Sequence, residues 1–225
     1  MKLKAESIRK QYFRDGKNTN WFNAVELTDL TLEEGRITEI EGRSGSGKTT
    51  LGQMLSGLLS PTEGRVMLDD QDIYSMEDGK RSRIRNQHIG VIPQGQTGLA
   101  GLTVLENVLL PIRMYERAEH VKPYAMQLLD RMEIGKLAGV YANELSGGEL
   151  RRMAVARALI RHPEILIADE PTGDLDEETT RLVLSLFREQ ADEGTSVLII
   201  THDAEVSSYA DISYRMENGV LRINS

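Results

Sequence analysis

Apolar residues in this chain follow two spacings, and each spacing predicts a different kind of element. Residues 165–168 and 197–200 are continuous apolar runs, which are typical of strands buried on both faces of a mostly parallel sheet. Residues 35–41 alternate in polarity and residues 88–92 are short and apolar, so both predict strands. Residues 177–190 predict a helix because one helical face carries Leu182, Val183, Leu186 and Phe187.

Helical spacing dominates the middle of the chain. Residues 49–59 predict a helix ended by Ser60-Pro61, and residues 61–74 contain the turn residues of a short hairpin. From residue 95 to residue 161 the apolar positions repeat with a helical period. Strands that alternate with helices, interrupted by a helical insert, predict an α/β fold with a mostly parallel sheet.

Composition narrows the class of protein. With 225 residues, of which 40% are hydrophobic, the chain can bury a sizeable core as one domain. The absence of cysteine excludes disulfides and thiolate metal sites and fits the cytosol. A net charge of −8 argues against broad attraction to nucleic acid. No secretory signal is visible, and no apolar run approaches the roughly 20 residues that span a bilayer. Work at a membrane therefore requires another polypeptide to span it.

The strand over residues 35–41 leads into a segment with the pattern G-x-x-x-x-G-K-[ST]. Backbone N–H groups of such a loop surround nucleotide phosphates, and the helix that follows points its positive end at them. The alternative is a flexible Ser/Gly loop that matches the pattern by chance. Taken alone, the motif indicates only that the chain binds a nucleoside triphosphate. The predicted phosphate-binding residues are Gly42, Arg43, Ser44, Gly45, Ser46, Gly47, Lys48, Thr49 and Thr50.

Asp169 and Glu170 directly follow the buried strand at residues 165–168. A carboxylate at such a strand end, beside a phosphate loop, can hold Mg²⁺ through its water shell. The adjacent Glu170 can orient and deprotonate the water that attacks the γ-phosphate. An acidic turn that caps the next segment is the alternative, and the phosphate loop favours the hydrolytic interpretation.

Residues 145–149 have the sequence Leu-Ser-Gly-Gly-Glu, which supports two interpretations. Ser146 and Glu149 have the spacing of a capping box for a helix that continues through Ile160. Gly147 and Gly148 also expose N–H groups at the start of that helix, which suits a second phosphate-binding surface.

With these motifs the chain resembles the ATP-binding subunits of ABC transporters, over nearly its whole length. The resemblance identifies residues 42–49 as Walker A, residues 169–170 as the end of Walker B and residues 145–149 as the signature motif. It implies a P-loop NTPase core of the RecA type, with an antiparallel β subdomain and an inserted helical subdomain. The core would cover about residues 1–94 and 162–225 of a single domain, and the insert about residues 95–161.

Further site residues follow from this resemblance alone. Gln94 is similar to the Q-loop glutamine that senses Mg²⁺ and the attacking water, so Thr49, Gln94 and Asp169 form the implied Mg²⁺ set. His202 is similar to the switch histidine near the γ-phosphate, and Asp176 to the aspartate that links two active sites. The catalytic set implied is Lys48, Gln94, Glu170 and His202. Tyr12 is in the position of the aromatic that stacks on adenine, although the adjacent Phe13 leaves the choice open.

The resemblance also implies partners. Two copies, or a pair of related ATPases, would close head to tail on two ATP molecules, with Ser146 and Gly148 of one subunit completing the site of the other. An integral membrane permease would hold the pair at the cytoplasmic face of the membrane, with no nucleic acid bound. Residues 102–108 and 169–176 look most like the lipoprotein-release and macrolide-export group.

Two other classes remain open beside a transporter subunit. One is a regulatory ATPase that drives a membrane partner without transport. The other is a soluble relative in DNA repair or translation, which usually carries tandem ATPase domains or long coiled-coil inserts.

Overall fold

The structure is a computed structural model that describes residues 1–14, 20–95, 98–173 and 175–224. The strands are β1 (Leu3–Arg14), β2 (Asn20–Leu32), β3 (Ile37–Glu41), β4 (Glu63–Leu68), β5 (Gln71–Asp72), β6 (Ile89–Ile92), β7 (Ile165–Asp169), β8 (Ser196–Thr201), β9 (Ile212–Glu217) and β10 (Val220–Ile223). The helices are α1 (Lys48–Leu55), α2 (Asp78–His88), α3 (Val104–Arg113), α4 (Lys122–Arg131), α5 (Gly147–Leu159) and α6 (Glu177–Asp192).

The central sheet has the strand order β10-β9-β3-β8-β7-β6. Strands β9, β3, β8, β7 and β6 are parallel, and β10 pairs with β9 in the antiparallel sense. Every residue of β7 and β8 is buried, as continuous apolar runs require in a sheet covered on both faces. The predicted α/β fold with a mostly parallel sheet is confirmed.

A second sheet covers one side of this core. Its strand order is β2-β1-β4-β5, and each of its pairs is antiparallel. Apolar side chains of this sheet form one core cluster with the buried face of α1 and with Ile40 and Leu198 of the central sheet. The antiparallel layer therefore packs α1, and with it the end of the phosphate loop, against the central sheet.

The other face of the central sheet packs against α6 and the helices between residues 104 and 159. Asn107 in α3 is fully buried, and its amide lies 2.8–3.2 Å from backbone atoms of Leu99, Leu102 and Thr103. These bonds fix the segment that connects the Gln94 region to α3. No helix within the described ranges is long and apolar enough to cross a membrane.

One predicted boundary is wrong. Helix α1 ends at Leu55 rather than near residue 59. Gly57 adopts a left-handed φ of +75° just after the helix, and glycine in this conformation is a common way to end a helix. The terminating signal is therefore Gly57, and Ser60-Pro61 lies beyond it. The predicted strands at β3, β6, β7 and β8 and the helix at α6 are confirmed.

Candidate functional site

The phosphate loop lies between β3 and α1 and forms one wall of a cavity of about 950 Å³. The other walls come from strand ends of the central sheet: Asp169 is the last residue of β7, and Gln94, Glu170 and His202 follow β6, β7 and β8. The structure thus brings together the predicted phosphate, metal and hydrolytic residues. The predicted residues that line this cavity are Gly42, Arg43, Ser44, Gly45, Ser46, Gly47, Lys48, Thr49, Thr50, Gln94, Asp169, Glu170 and His202.

Close backbone approaches explain the two outer glycines of the loop. A Cβ at Gly47, where φ is +107°, would lie 2.1 Å from the carbonyl oxygen of Ala24. A Cβ at Gly42 would lie 2.3 Å from the carbonyl oxygen of Met216. Both distances are far below van der Waals contact, so any side chain at these positions would displace a neighbouring strand.

The loop is also held from a distant part of the chain. The N–H of Gly219, in the turn between β9 and β10, donates to the carbonyl of Ser46 at 2.9 Å, and the Gly219 carbonyl accepts from Glu26 N–H at 2.8 Å. Asn218 and Gly219 also line the cavity. This contribution is not among the sequence-based predictions, although Asn-Gly between two short strands is a hairpin signal.

The loop has the features of an anion site. Helix α1 begins at Lys48 without a capping side chain and without an acidic residue in its first turn, so its N-terminal N–H groups are available to a phosphate. The Lys48 ammonium donates to the carbonyls of Gly42 (2.6 Å) and Arg43 (3.1 Å). The Ser46 hydroxyl is buried without a hydrogen-bond partner among the described residues.

Oxygen ligands suited to Mg²⁺ lie beside this anion site. The Thr49 hydroxyl donates to Gln94 Oε1 at 3.3 Å. Burial raises the pKa of Asp169, and a hydrogen bond from Thr49 opposes that shift. A hydroxyl, an amide oxygen and one carboxylate fit Mg²⁺, which usually takes one or two carboxylates and completes its shell with water and phosphate oxygens.

Glu170 and His202 form a pair at the mouth of the cavity. His202 Nδ1 lies 2.8 Å from Glu170 Oε1, and the Thr201 hydroxyl lies 3.4 Å from Glu170 Oε2. Glu170 has a left-handed φ of +51°, and its N–H donates to the Ile200 carbonyl at 2.7 Å. A non-glycine residue in this conformation is strained and persists only where the surrounding structure holds it in place. Such residues are frequent at functional sites. The carboxylate is therefore fixed by both β7 and β8.

Arg151 of α5 contributes to the same cavity and was not predicted as a site residue. It donates to the carbonyl of Pro93 at 3.1 Å and lines the cavity beside Asp169. Its charge helps to lower the pKa of Asp169, against the larger effect of burial. The sequence offered no signal for this contact, because Arg151 and Pro93 are distant in sequence.

Three residues of the signature motif, Ser146, Gly147 and Gly148, line a second cavity of about 560 Å³, which shares no lining residue with the first. Ser146 and Glu149 form the predicted capping box of α5, and hydrogen bonds from Ser146 lower the pKa of Glu149. Asp176 caps α6 by accepting from Thr179 N–H at 2.8 Å, which lowers the pKa of Asp176. The neighbouring Asp174 lies outside the described residues. The second cavity is lined by Ser146, Gly147, Gly148, Arg152, Leu175, Asp176 and Thr179.

The aromatic residues of β1 and β2 form two separate pairs. Tyr12 lies 5.9 Å from Phe22 between ring centroids, and Phe13 lies 5.2 Å from Trp21. Phe22 lines the nucleotide-sized cavity, whereas Tyr12 and Phe13 do not. Tyr12, the predicted adenine contact, therefore does not line the cavity itself but packs against Phe22, which does.

Comparison with known proteins gives a consistent result. A family model described as "ABC transporter" matches residues 25–173. The chain is 40% identical to "ABC transporter ATP-binding protein YtrE" of Bacillus subtilis (strain 168) over 86% of this chain and 84% of that one. It is 39% identical to "Lipoprotein-releasing system ATP-binding protein LolD" of Hydrogenovibrio crunogenus over 96% and 94% of the two chains.

A solved structure agrees over nearly the whole length. The dimeric post-hydrolysis state of the ATP-binding cassette MJ0796, bound to ADP and Pi, has a TM-score of 0.92 and 31% sequence identity. The match covers 99% of this chain and 98% of that one. This protein therefore belongs to the ABC transporter family, as one of its ATP-binding, ATPase subunits.

Proposed function

We propose that this chain hydrolyses ATP to power a membrane permease that exports a substrate or does mechanical work in the cell envelope, with lipoproteins as the favoured substrate class. The observation that carries the proposal is the match to LolD, which is named as a lipoprotein-releasing ATP-binding protein and spans almost the same length. The residues of the two cavities supply chemistry that suits such a motor.

The proposed reaction divides tasks among the residues around the phosphate loop. Lys48 and the N-terminal N–H groups of α1 bind the phosphates, and Thr49, Asp169 and Gln94 hold Mg²⁺. When bound, Mg²⁺ neutralises charge that develops on the phosphate oxygens. Glu170 accepts a proton from the attacking water. His202 lies 2.8 Å from Glu170 and donates a hydrogen bond toward the γ-phosphate.

The second cavity supports a head-to-tail dimer. Ser146, Gly147 and Gly148 expose the start of α5 on a surface separate from the phosphate loop. In the proposed dimer, these residues of one subunit face the γ-phosphate held by the other, and Asp176 joins the two sites. The Ser146 hydroxyl lies 2.7 Å from Glu149 Oε2, so it must turn from Glu149 to bond a phosphate. Closure on ATP and opening after hydrolysis would supply the force.

The proposed location is the cytoplasmic side of the membrane, where the chain is held by its permease. The resemblance to transporter subunits and the net charge of −8 support this location over a nucleic-acid partner. We further propose one domain, with about residues 95–161 as a helical subdomain whose surface around residues 95–119 faces the permease.

For the adenine base, we propose that Phe22 and Tyr12 act as one stacking surface. Phe22→Ala is expected to weaken ATP affinity about tenfold, because stacking of a base on an aromatic ring contributes roughly 1–3 kcal/mol. Calorimetric titration with ATP would measure this change. Phe13→Ala is the matched control, since Phe13 contacts Trp21 and does not line the cavity. Equal losses in both variants would count against the assignment.

Purification of the tagged chain from detergent-solubilised membranes tests the proposed function. We expect an integral membrane protein to co-purify in a fixed ratio and to stimulate ATP hydrolysis. Lipoprotein added to that complex should raise turnover further, whereas an unlipidated form of the same protein should not. Recovery of ribosomes or DNA without any membrane protein would overturn the assignment to a transporter.

A further inference from the structure

Strand β3 contains a buried carboxylate that the proposed reaction does not use. Glu39 is 1% exposed, and its strand β3 lies between β8 and β9 in the central sheet. Among the residues that the structure describes, no Lys or Arg forms an ion pair with it. Its hydrogen-bond donors are the hydroxyls of Ser207 and Ser213, each at 3.0 Å.

A carboxylate is a costly choice for this position. A buried polar group lowers stability unless its hydrogen bonds are satisfied. Replacing such a group and its partners by apolar residues is often neutral or stabilising. An aliphatic residue would therefore pack at this position as well as Glu39 does. What the carboxylate adds is a pair of acceptor oxygens that fix the two serine hydroxyls.

Ser213 and Ser207 differ in what they hold. Ser213 lies in β9, directly beside Glu39 in the parallel register, so the ladder already fixes it. Ser207 lies in the 3-10 turn Ala204–Ser208, which begins two residues after His202. The bond from Ser207 ties this turn to the strand that leads into the phosphate loop.

The beginning of the same turn is tied to the Glu170 side of the site. The Thr172 hydroxyl donates to Asp203 Oδ2 at 3.0 Å, and Asp203 Oδ1 accepts from Glu205 N–H at 3.0 Å. His202 itself is largely exposed, and its hydrogen-bond partner among the described residues is Glu170. Its placement over the cavity therefore depends on how the segment from residue 203 to residue 208 is anchored.

We propose that Glu39 is a positioning residue for His202 and acts through Ser207. The carboxylate fixes the 204–208 turn against β3, and the turn then sets the distance between His202 and the γ-phosphate position above the loop. The inference rests on the proposed role of His202 in hydrolysis. Glu39 thereby connects β3, the strand that leads into the phosphate loop, to His202, and its carboxylate contacts neither substrate nor metal.

Steady-state ATPase assays on the full chain test the link. Ser207→Ala is expected to lower kcat about fivefold with KM for ATP unchanged, because loss of one anchoring bond misplaces His202 without touching the phosphate loop. Ser213→Ala is the matched control and should keep kcat near wild type, since β9 stays in register. Glu39→Gln should retain most of kcat by accepting from Ser207, whereas Glu39→Ala should lose as much as Ser207→Ala.

A double variant separates this mechanism from simple destabilisation. If Ser207 acts through His202, adding Ser207→Ala to His202→Ala should lower kcat no further. The positioning role would be overturned, and the role of His202 would stand, in either of two cases. The losses in kcat of the two single variants multiply in the double variant, or Ser207→Ala has a normal kcat while His202→Ala is impaired. Normal kcat in His202→Ala would overturn the proposed role of His202 and the positioning role with it. Thermal midpoints well above the assay temperature, together with wild-type ATP affinity, check that each variant is folded.

Discussion

Glutamine in place of Glu170 is expected to lower ATP turnover by roughly 10²–10⁴-fold, the usual contribution of a general base. The substitution keeps the shape of the side chain and its position beside His202, whose Nδ1 lies 2.8 Å from Glu170 Oε1. It removes the group that takes a proton from water. ATP binding should persist, because the phosphate contacts come from the loop at residues 42–49.

The Glu170→Gln variant should lose ATP turnover but keep the ability to form the ATP-bound dimer. We expect single-turnover assays to show almost no hydrolysis, and size-exclusion chromatography with ATP to show a stable dimer. Ser146→Arg in the same chain should abolish that dimer by filling the second cavity. Glu193→Gln is the matched control, because Glu193 is exposed at the end of α6. Wild-type turnover by Glu170→Gln would sink the assignment of the base.

Alanine in place of Lys48 is expected to weaken ATP affinity by about 100-fold. Charged hydrogen bonds to a phosphate contribute roughly 1.5–3 kcal/mol each, and each 1.4 kcal/mol is a factor of ten. Lys48 is 8% exposed and donates to two carbonyls of its own loop. Its ammonium group is therefore held next to the position that the β- and γ-phosphates would occupy.

Equilibrium binding of ATP, measured by calorimetry, checks this expectation. Adenosine is an informative second ligand, because it lacks phosphates and its weak affinity should be the same in Lys48→Ala and wild type. Lys136→Ala serves as the control, since Lys136 is an exposed residue of the same type. Unchanged ATP affinity in Lys48→Ala would contradict the phosphate-loop assignment.

The central features of the site were predictable because each one depends on local sequence. The phosphate loop, the two carboxylates at the end of β7 and the capping box of α5 are each contained in a few consecutive residues. Their relative positions also follow from the fold, because parallel strands place Gln94, Asp169 and His202 at one edge of the sheet. Local motifs and sheet topology together predict most of the first cavity.

The first two strands were not predicted, and their irregularity explains why. Strand β1 has register shifts after Ala5, Ile8 and Lys10 in its pairing with β2, and Ser7 has a left-handed φ of +48°. Each bulge reverses which side chains face the core. Alternation of polarity is therefore lost over β1, although the strand is 12 residues long. Phe22 escaped notice as a cavity residue for the same reason.

Long-range contacts account for the other omissions. The alternation in residues 35–41 suggests a polar face, yet both Thr38 and Glu39 are 1% exposed. Their burial depends on β8, β9 and the 204–208 turn, which are more than 150 residues away in the sequence. Arg151 and Asn218 reach the cavity in the same way. Such contacts are set by tertiary packing and leave no periodic signal in one sequence.

The bond between Gly219 and Ser46 has a consequence for the order in which the protein is made. The phosphate loop is synthesised well before residues 212–224, but its contacts include the Asn218-Gly219 turn and Met216. Residues 212–224 are synthesised after almost all of the rest of the described chain. Nascent chains that lack this hairpin contain the whole phosphate loop without its contacts to Met216 and Gly219. The bond from Gly219 to Ser46 therefore forms only after β9 has been synthesised, when all the parallel strands of the central sheet are present.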